Sequence, residues 1–212
     1  MASAVIHLCV AKEINKVLKM DEKELYLGSI APDLSKQIGE EKKKSHFLTL
    51  KDDDVPNIYE FLSKYKNKLN KPFNMGYFIH LYTDKIWFAE FMRSKLYDNC
   101  IKLIDGTVVT MSEKEKIKII YNDYTNLNIY LIDEFELDLS LFYEEFKYPD
   151  TNIDEIPIDK LPILIDKMGL IIMNSLQEKA YVFDNITINE FIRYCTDKIL
   201  RKIDEYKIKV HE

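Results

Sequence analysis

An aspartate stands on the inward stripe of the longest helical pattern in this chain, and that placement limits what the chain can fold into. The stretch is Gly76-Tyr77-Phe78-Ile79-His80-Leu81-Tyr82-Thr83-Asp84-Lys85-Ile86-Trp87. His80 and Asp84 are four residues apart, so a helix stacks both side chains on one face, a turn from each other. Phe73, Gly76, Tyr77, Thr83, Trp87 and Phe91 continue that face along a helix expected over about 73–96. An isolated buried carboxylate costs too much to persist. No Lys or Arg lies within a turn of Asp84 on this face, which directs Asp84 towards a metal ion. Gly76 weakens the helix and lets another segment approach closely. The chain has four histidines, and three of them, His7, His46 and His80, fall in its first 80 residues. With Asp33 and Asp84 they read as one metal centre, and the rest of the chain as its support.

The pattern is helical nearly throughout. Five glycines and six prolines in 212 residues leave few breaks, and no period-two alternation is sustained. Helices are expected over about 3–20, over 22–27 with a stop at Gly28, and from Asp54 and Pro56 to about 69. A capping box of Ser112 and Glu115 opens another to about 133. One from near Pro162 reaches about 179, and a last one runs from Thr187, paired with Glu190, to about 206. Residues 34–55 read as a polar loop of the length that often serves as a lid or binding loop, and 134–160 as irregular connection. Asp105-Gly106 is a hairpin signal that would join 101–104 to 107–110, although an isolated pair of strands is marginal. The fold class is all-α, a multi-helix bundle in a single domain over 1–212. Residues 1–110 form its metal-binding half and 111–212 the supporting helices.

Each candidate residue carries a plainer alternative. His7 lies on the apolar stripe of Val10, Ala11, Ile14, Val17 and Leu18, where it is a hydrogen-bonded core histidine or a ligand. Asp33 follows the rigid Ala31-Pro32 turn; it caps the next helical turn or presents a carboxylate from a stiff loop. His46, before Phe47 and Leu48 in a charged segment, is a surface histidine or marks where the loop folds back onto the body. Asp123 is solvated, or reaches the centre as an extra ligand or partner of one. His211, near the end of the chain, is expected at the surface.

Composition excludes several classes. A net charge of −6 gives no reason to expect a nucleic-acid partner, and the run Lys42-Lys43-Lys44 follows Glu40-Glu41. Cys9, Cys100 and Cys195 are odd in number and far apart, which argues against a disulfide framework or a thiolate zinc site. No stretch approaches the roughly 18 apolar residues of a membrane span. The first residues reach Lys12 and Glu13 without a long apolar run, so a signal peptide is not expected and a cytoplasmic protein is. The abundance of Ile, Lys, Asn and Tyr points by association to an AT-rich bacterial genome.

An early-helix His7, Gly28-Ser-Ile-Ala-Pro-Asp33, Ser45-His46-Phe47 and Gly76-Tyr-Phe-Ile-His80-Leu-Tyr-Thr-Asp84, in that order, resemble the zinc-dependent phospholipase C family over about residues 3–90. The resemblance implies that His46, His80 and Asp84 bind one zinc, with Asp33 on or beside it, and that His7 binds a second ion bridged by Asp84. It also implies that Asp33 is the general base on the attacking water. The family's later ligands are missing, since His211 is the only histidine after His80, so the centre is reduced to one or two ions. Zinc is the expected metal, with manganese or iron as alternatives, because imidazole and carboxylate suit all three. The arrangement also looks like the centre of HD-type phosphohydrolases, without their adjacent His-Asp pair. The expected function is a metal-dependent phosphoester hydrolase acting on a small phosphorylated substrate or a lipid head group. The competing reading is a non-catalytic helical binding or scaffold protein with a structural metal.

Overall fold

A computed structural model describes residues 2–50, 54–175 and 179–210. The chain is mostly helical, with one small sheet. Helix α1 spans Ala4–Leu18, α2 Glu22–Ile30, α3 Leu34–Gln37, α4 Lys42–Ser45, α5 Ile58–Tyr65 and α6 Pro72–Ile86. Strands β1 (Leu96–Tyr97), β2 (Cys100–Lys102) and β3 (Val108–Thr110) follow, then α7 (Glu113–Glu134), α8 (Leu161–Met173) and α9 (Asn185–Glu205). Among the described residues no helix is long and apolar enough to cross a membrane.

Local chemistry accounts for most helix ends. Ser3 caps α1 by accepting from the Ile6 N–H, and Lys19 closes it in the left-handed region at φ +56°. The Ser112–Glu115 capping box opens α7 with both reciprocal bonds made. Helix α9 begins two residues earlier than Thr187, at Asn185, because the Asp184 carboxylate caps it by accepting from both the N–H and the hydroxyl of Thr187. Helix α8 ends at Met173, short of its expected reach; residues 176–178 of that reach, residues 51–53 of the expected loop, and His211 lie outside the described residues.

Helices α2 and α6 cross at backbone contact. A Cβ placed on Gly28 would lie 2.1 Å from the Phe73 carbonyl oxygen, and one on Gly76 would lie 2.1 Å from that of Leu25. Gly28 therefore does not end α2, which continues to Ile30; it opens the crossing from one side as Gly76 does from the other. Helix α6 gives way to a π-helical turn, Trp87–Phe91. Trp87, almost wholly buried, packs there against Phe91, Tyr124, Phe183 and Phe191 and so ties α6 to α7 and α9. A second aromatic cluster, Phe47, Phe61, Tyr65 and Tyr77, anchors the chain after α4 to α5 and α6.

The sheet is antiparallel in the order β1-β2-β3, with Ile101 opposite Leu96 on one side and Val109 on the other. The Asp105-Gly106 turn joins β2 to β3, with Gly106 at φ +86°. The third strand and the full burial of Ile101 give the hairpin the support that an isolated pair lacks. Residues 34–50 are not a plain loop: α3 and α4 lie within them, and His46, Phe47 and Leu48 are buried.

Candidate metal centre

Four segments carry five side chains to one buried point. His7 closes the first turn of α1, its N–H bonded to the Ser3 carbonyl. Asp33 ends the single 3-10 turn Ala31–Asp33, where Pro32 sets the backbone. His46 follows α4, and His80 and Asp84 face inward a turn apart on α6. His7, His80 and Asp84 are fully buried, His46 is 1% exposed, and Asp33 alone keeps a sliver of surface at 7%. His46 is thus a buried residue and not a surface histidine.

The five form two triads that share His80. His7, His80 and Asp84 make one, Asp33, His46 and His80 the other, and within each the ligand atoms lie within 4.8 Å of one another. His7 Nε2 is 3.4 Å from Asp84 Oδ1, and His46 Nε2 is 3.4 Å from Asp33 Oδ1. Asp84 Oδ2 stands 3.7 Å from the Nε2 atoms of both His46 and His80, so it faces both groups. The His7 and His80 rings stack at 3.8 Å.

The hydrogen bonds behind the rings fix which nitrogen points inward. His80 Nδ1 lies 2.7 Å from the Ser29 carbonyl oxygen. A carbonyl only accepts, so Nδ1 carries the proton and Nε2 presents a lone pair to the centre. His46 Nδ1 lies 2.9 Å from Ser45 Oγ, and the Ser45 hydroxyl donates in turn to the Lys42 carbonyl. His46 Nε2 likewise faces inward. These two Nε2 atoms are 3.3 Å apart. Burial first, and the neighbouring His7 second, pull the His80 pKa down to about 3, so the imidazole is neutral. Burial would raise the Asp33 carboxyl, but the contact with His46 first, and the nearby His80 ring second, bring it down to about 2. Burial would likewise raise Asp84, yet His7 and His80 hold it well below the ordinary carboxylate range.

A metal fits this donor set. Both ring nitrogens of His7, Asp33 Oδ1 and Asp84 Oδ2 are buried without a hydrogen-bond partner among the described residues. The inward lone pair of His80 and two ionised carboxylates at such distances repel unless a cation lies among them. Imidazole nitrogen with carboxylate oxygen is the donor mixture of zinc, manganese and iron sites. The Ser29 and Ser45 contacts are the outer partners that orient metal-bound histidines elsewhere.

Asp123 belongs to neither of its two expected places. It is fully buried on α7, away from the triads, and accepts from the backbone N–H groups of Tyr181, Val182 and Phe183. It fixes the segment leading into α9. The sequence reading missed Ser29, whose carbonyl sets the His80 tautomer, and Ser45, the neighbour of His46. Ser45 stands directly before His46, which was the available signal; the Ser29 contact is made by a backbone carbonyl and had none.

The centre also borders a cavity of about 550 Å³, to whose wall Asp33 contributes. No protein-family model matches the chain, and no curated protein and no solved structure matches it at a significant level.

Proposed function

We propose that this protein is a metal-dependent hydrolase of phosphoester bonds, built on a reduced form of the phospholipase C-type helical bundle. The observation that carries the reading is the facing pair of His46 and His80 Nε2 atoms, 3.3 Å apart and flanked by unpartnered oxygens of Asp33 and Asp84. His46, His80, Asp33 and Asp84 would hold one ion, and His7 with Asp84 and His80 would hold a second. A divalent ion in such a place supplies Lewis acidity towards a phosphoryl oxygen and makes a neighbouring water more acidic. Asp33 is the proton acceptor, because it keeps the most surface of the five, 7%, and is the one that lines the cavity. His80 holds its Nε2 in place through the Ser29 carbonyl, and Trp87 and its aromatic neighbours keep water from the back of α6. The substrate would be a small phosphorylated compound or a lipid head group.

One observation favours a structural staple instead: His7, His80 and Asp84 have no exposure at all, and a structural ion is closed by protein ligands. Elemental analysis beside a phosphodiester and phosphomonoester assay, on the wild type and on Asp33→Asn, separates the two. Turnover that falls at least about a hundredfold in Asp33→Asn, with the metal retained, supports the hydrolase. Bound metal with no turnover on either ester class overturns it in favour of the staple.

A further inference from the structure

The cavity beside Asp33 carries features the metal centre does not explain. Its floor takes in Asp33 and the first turn of α1, Ser3 through Val5. One wall is α8, which lays Leu164 and Met168 along it. The opposite wall is α7, with Tyr121, Tyr124 and Asn128. Lys36 stands one helical turn beyond Asp33, and Lys167 enters from α8.

Charge in this cavity is one-sided. Asp33 is the only acid among the described lining residues, and it is committed to the metal centre. Lys36 and Lys167 have no carboxylate within 4 Å among the described residues. Lys36 is held in place without being neutralised: its Nζ donates to the Tyr121 hydroxyl at 2.6 Å and lies 4.9 Å from that ring's centroid. The N-terminal turn of α1, a 15-residue helix, adds the positive end of a helix dipole to the same wall. The independent sign of a ligand is Asn128. It is 2% exposed, its amide nitrogen donates to Ser175 Oγ at 3.0 Å, and its Oδ1 is buried with no partner among the described residues. A buried acceptor left bare awaits a donor.

We propose that this cavity binds a phosphate ester whose organic part is largely apolar and donates one hydrogen bond, with Lys36 as the residue that anchors the phosphate. The phosphate sits between the metal centre, Lys36 and Lys167. The apolar part lies between α7 and α8 against Leu164, Met168 and the Tyr124 ring, and its donor meets Asn128 Oδ1. The inference rests on the hydrolase reading for the position of the phosphate. The source that fits this chemistry is an alkyl glycerol-type ester with a free hydroxyl; a nucleoside monophosphate, with a polar sugar and several donors, is the contrasting ligand.

Calorimetric titration of zinc-loaded protein with inorganic phosphate, 1-octylglycerol 3-phosphate and adenosine 5′-monophosphate tests it. The alkyl ester is expected to bind at least about tenfold more tightly than inorganic phosphate and than adenosine 5′-monophosphate, and tighter binding of the nucleotide overturns the apolar assignment. Lys36→Ala should weaken the alkyl ester by about tenfold with metal content unchanged, and Lys36→Arg should restore most of the loss. Lys36 is exposed, so neither variant threatens folding. Esters that bind no better than inorganic phosphate, or binding indifferent to Lys36→Ala, overturn the proposal. Tight, Lys36-dependent binding without turnover supports the cavity while sinking the hydrolase reading; turnover of small esters indifferent to Lys36 does the reverse.

Discussion

Gly28 and Gly76 face each other where α2 crosses α6, and a Cβ on Gly76 would stand 3.0 Å from the Gly28 carbonyl carbon and 2.1 Å from the Leu25 carbonyl oxygen. This crossing brings the Ser29 carbonyl to His80 Nδ1 at 2.7 Å. The contact between two backbones therefore sets the tautomer of the residue that both triads share.

Gly76→Ala should separate the two helices, since neither opposing backbone can yield as a side chain can. Overpacking against backbone stands at or above the upper end of roughly 1–3 kcal/mol, and alanine's better helix propensity returns about 1 kcal/mol of it. The expected outcome is a lower urea midpoint together with weaker metal retention. A variant as stable and as metal-rich as the wild type would mean that the crossing does not position the centre.

Asp123 makes a prediction that isolates structure from chemistry. Its carboxylate receives three backbone N–H groups, from Tyr181, Val182 and Phe183. Asp123→Ala leaves those donors without an acceptor and should cost about 3 kcal/mol, read as a shift in the denaturant midpoint. Metal content should not change. Loss of metal in this variant would return Asp123 to the centre from which the geometry separates it.

The Glu90–Lys198 pair, bonded at 2.6 and 2.7 Å and joined by the Tyr194 hydroxyl, clasps the end of α6 to α9. Partial burial raises the Glu90 carboxyl, but the bonds from Lys198 and Tyr194 and the Lys198 charge outweigh it and lower the pKa. A depressed acid contributes stability above its unfolded pKa and loses it as pH falls through the folded value. Glu90→Gln should therefore be less stable than the wild type by under about 1 kcal/mol at about pH 7, since the pair is partly exposed. The difference should close as the pH falls below the ordinary glutamate range and through the lowered folded value. A gap that widens on acidification would contradict the sign.

How much of this was legible in the sequence depends on how local the cause is. The α1 stripe and the Ser112–Glu115 box act within a turn or two, and both elements stand where the periodicity puts them. Gly76 announced a close approach but not its partner, because Gly28 reads locally as a helix stop and becomes a crossing glycine only once α6 is laid against it. The charged neighbours of His46 argue for the surface; its burial depends on Phe47 packing against Phe61 and Tyr77, which chain order cannot place. Asp123 was unreadable for the same reason, since its partners begin 58 positions further on. His7, His80 and Asp84 were legible on their apolar stripes, because each needs a partner that its own helix does not supply; Asp33 and His46 joined them through the family resemblance of their short motifs.

The most direct test is the metal content of the protein purified without chelator, measured by elemental analysis beside His80→Ala, with thermal unfolding of both. His80 belongs to both triads, so its loss should empty both, and a protein that loses a bound metal also loses the stability that binding confers. The account predicts one or two equivalents of zinc, manganese or iron in the wild type, almost none in His80→Ala, and a melting temperature lower by several degrees. No metal in the wild type, or equal metal and an equal melting temperature in the variant, would contradict it.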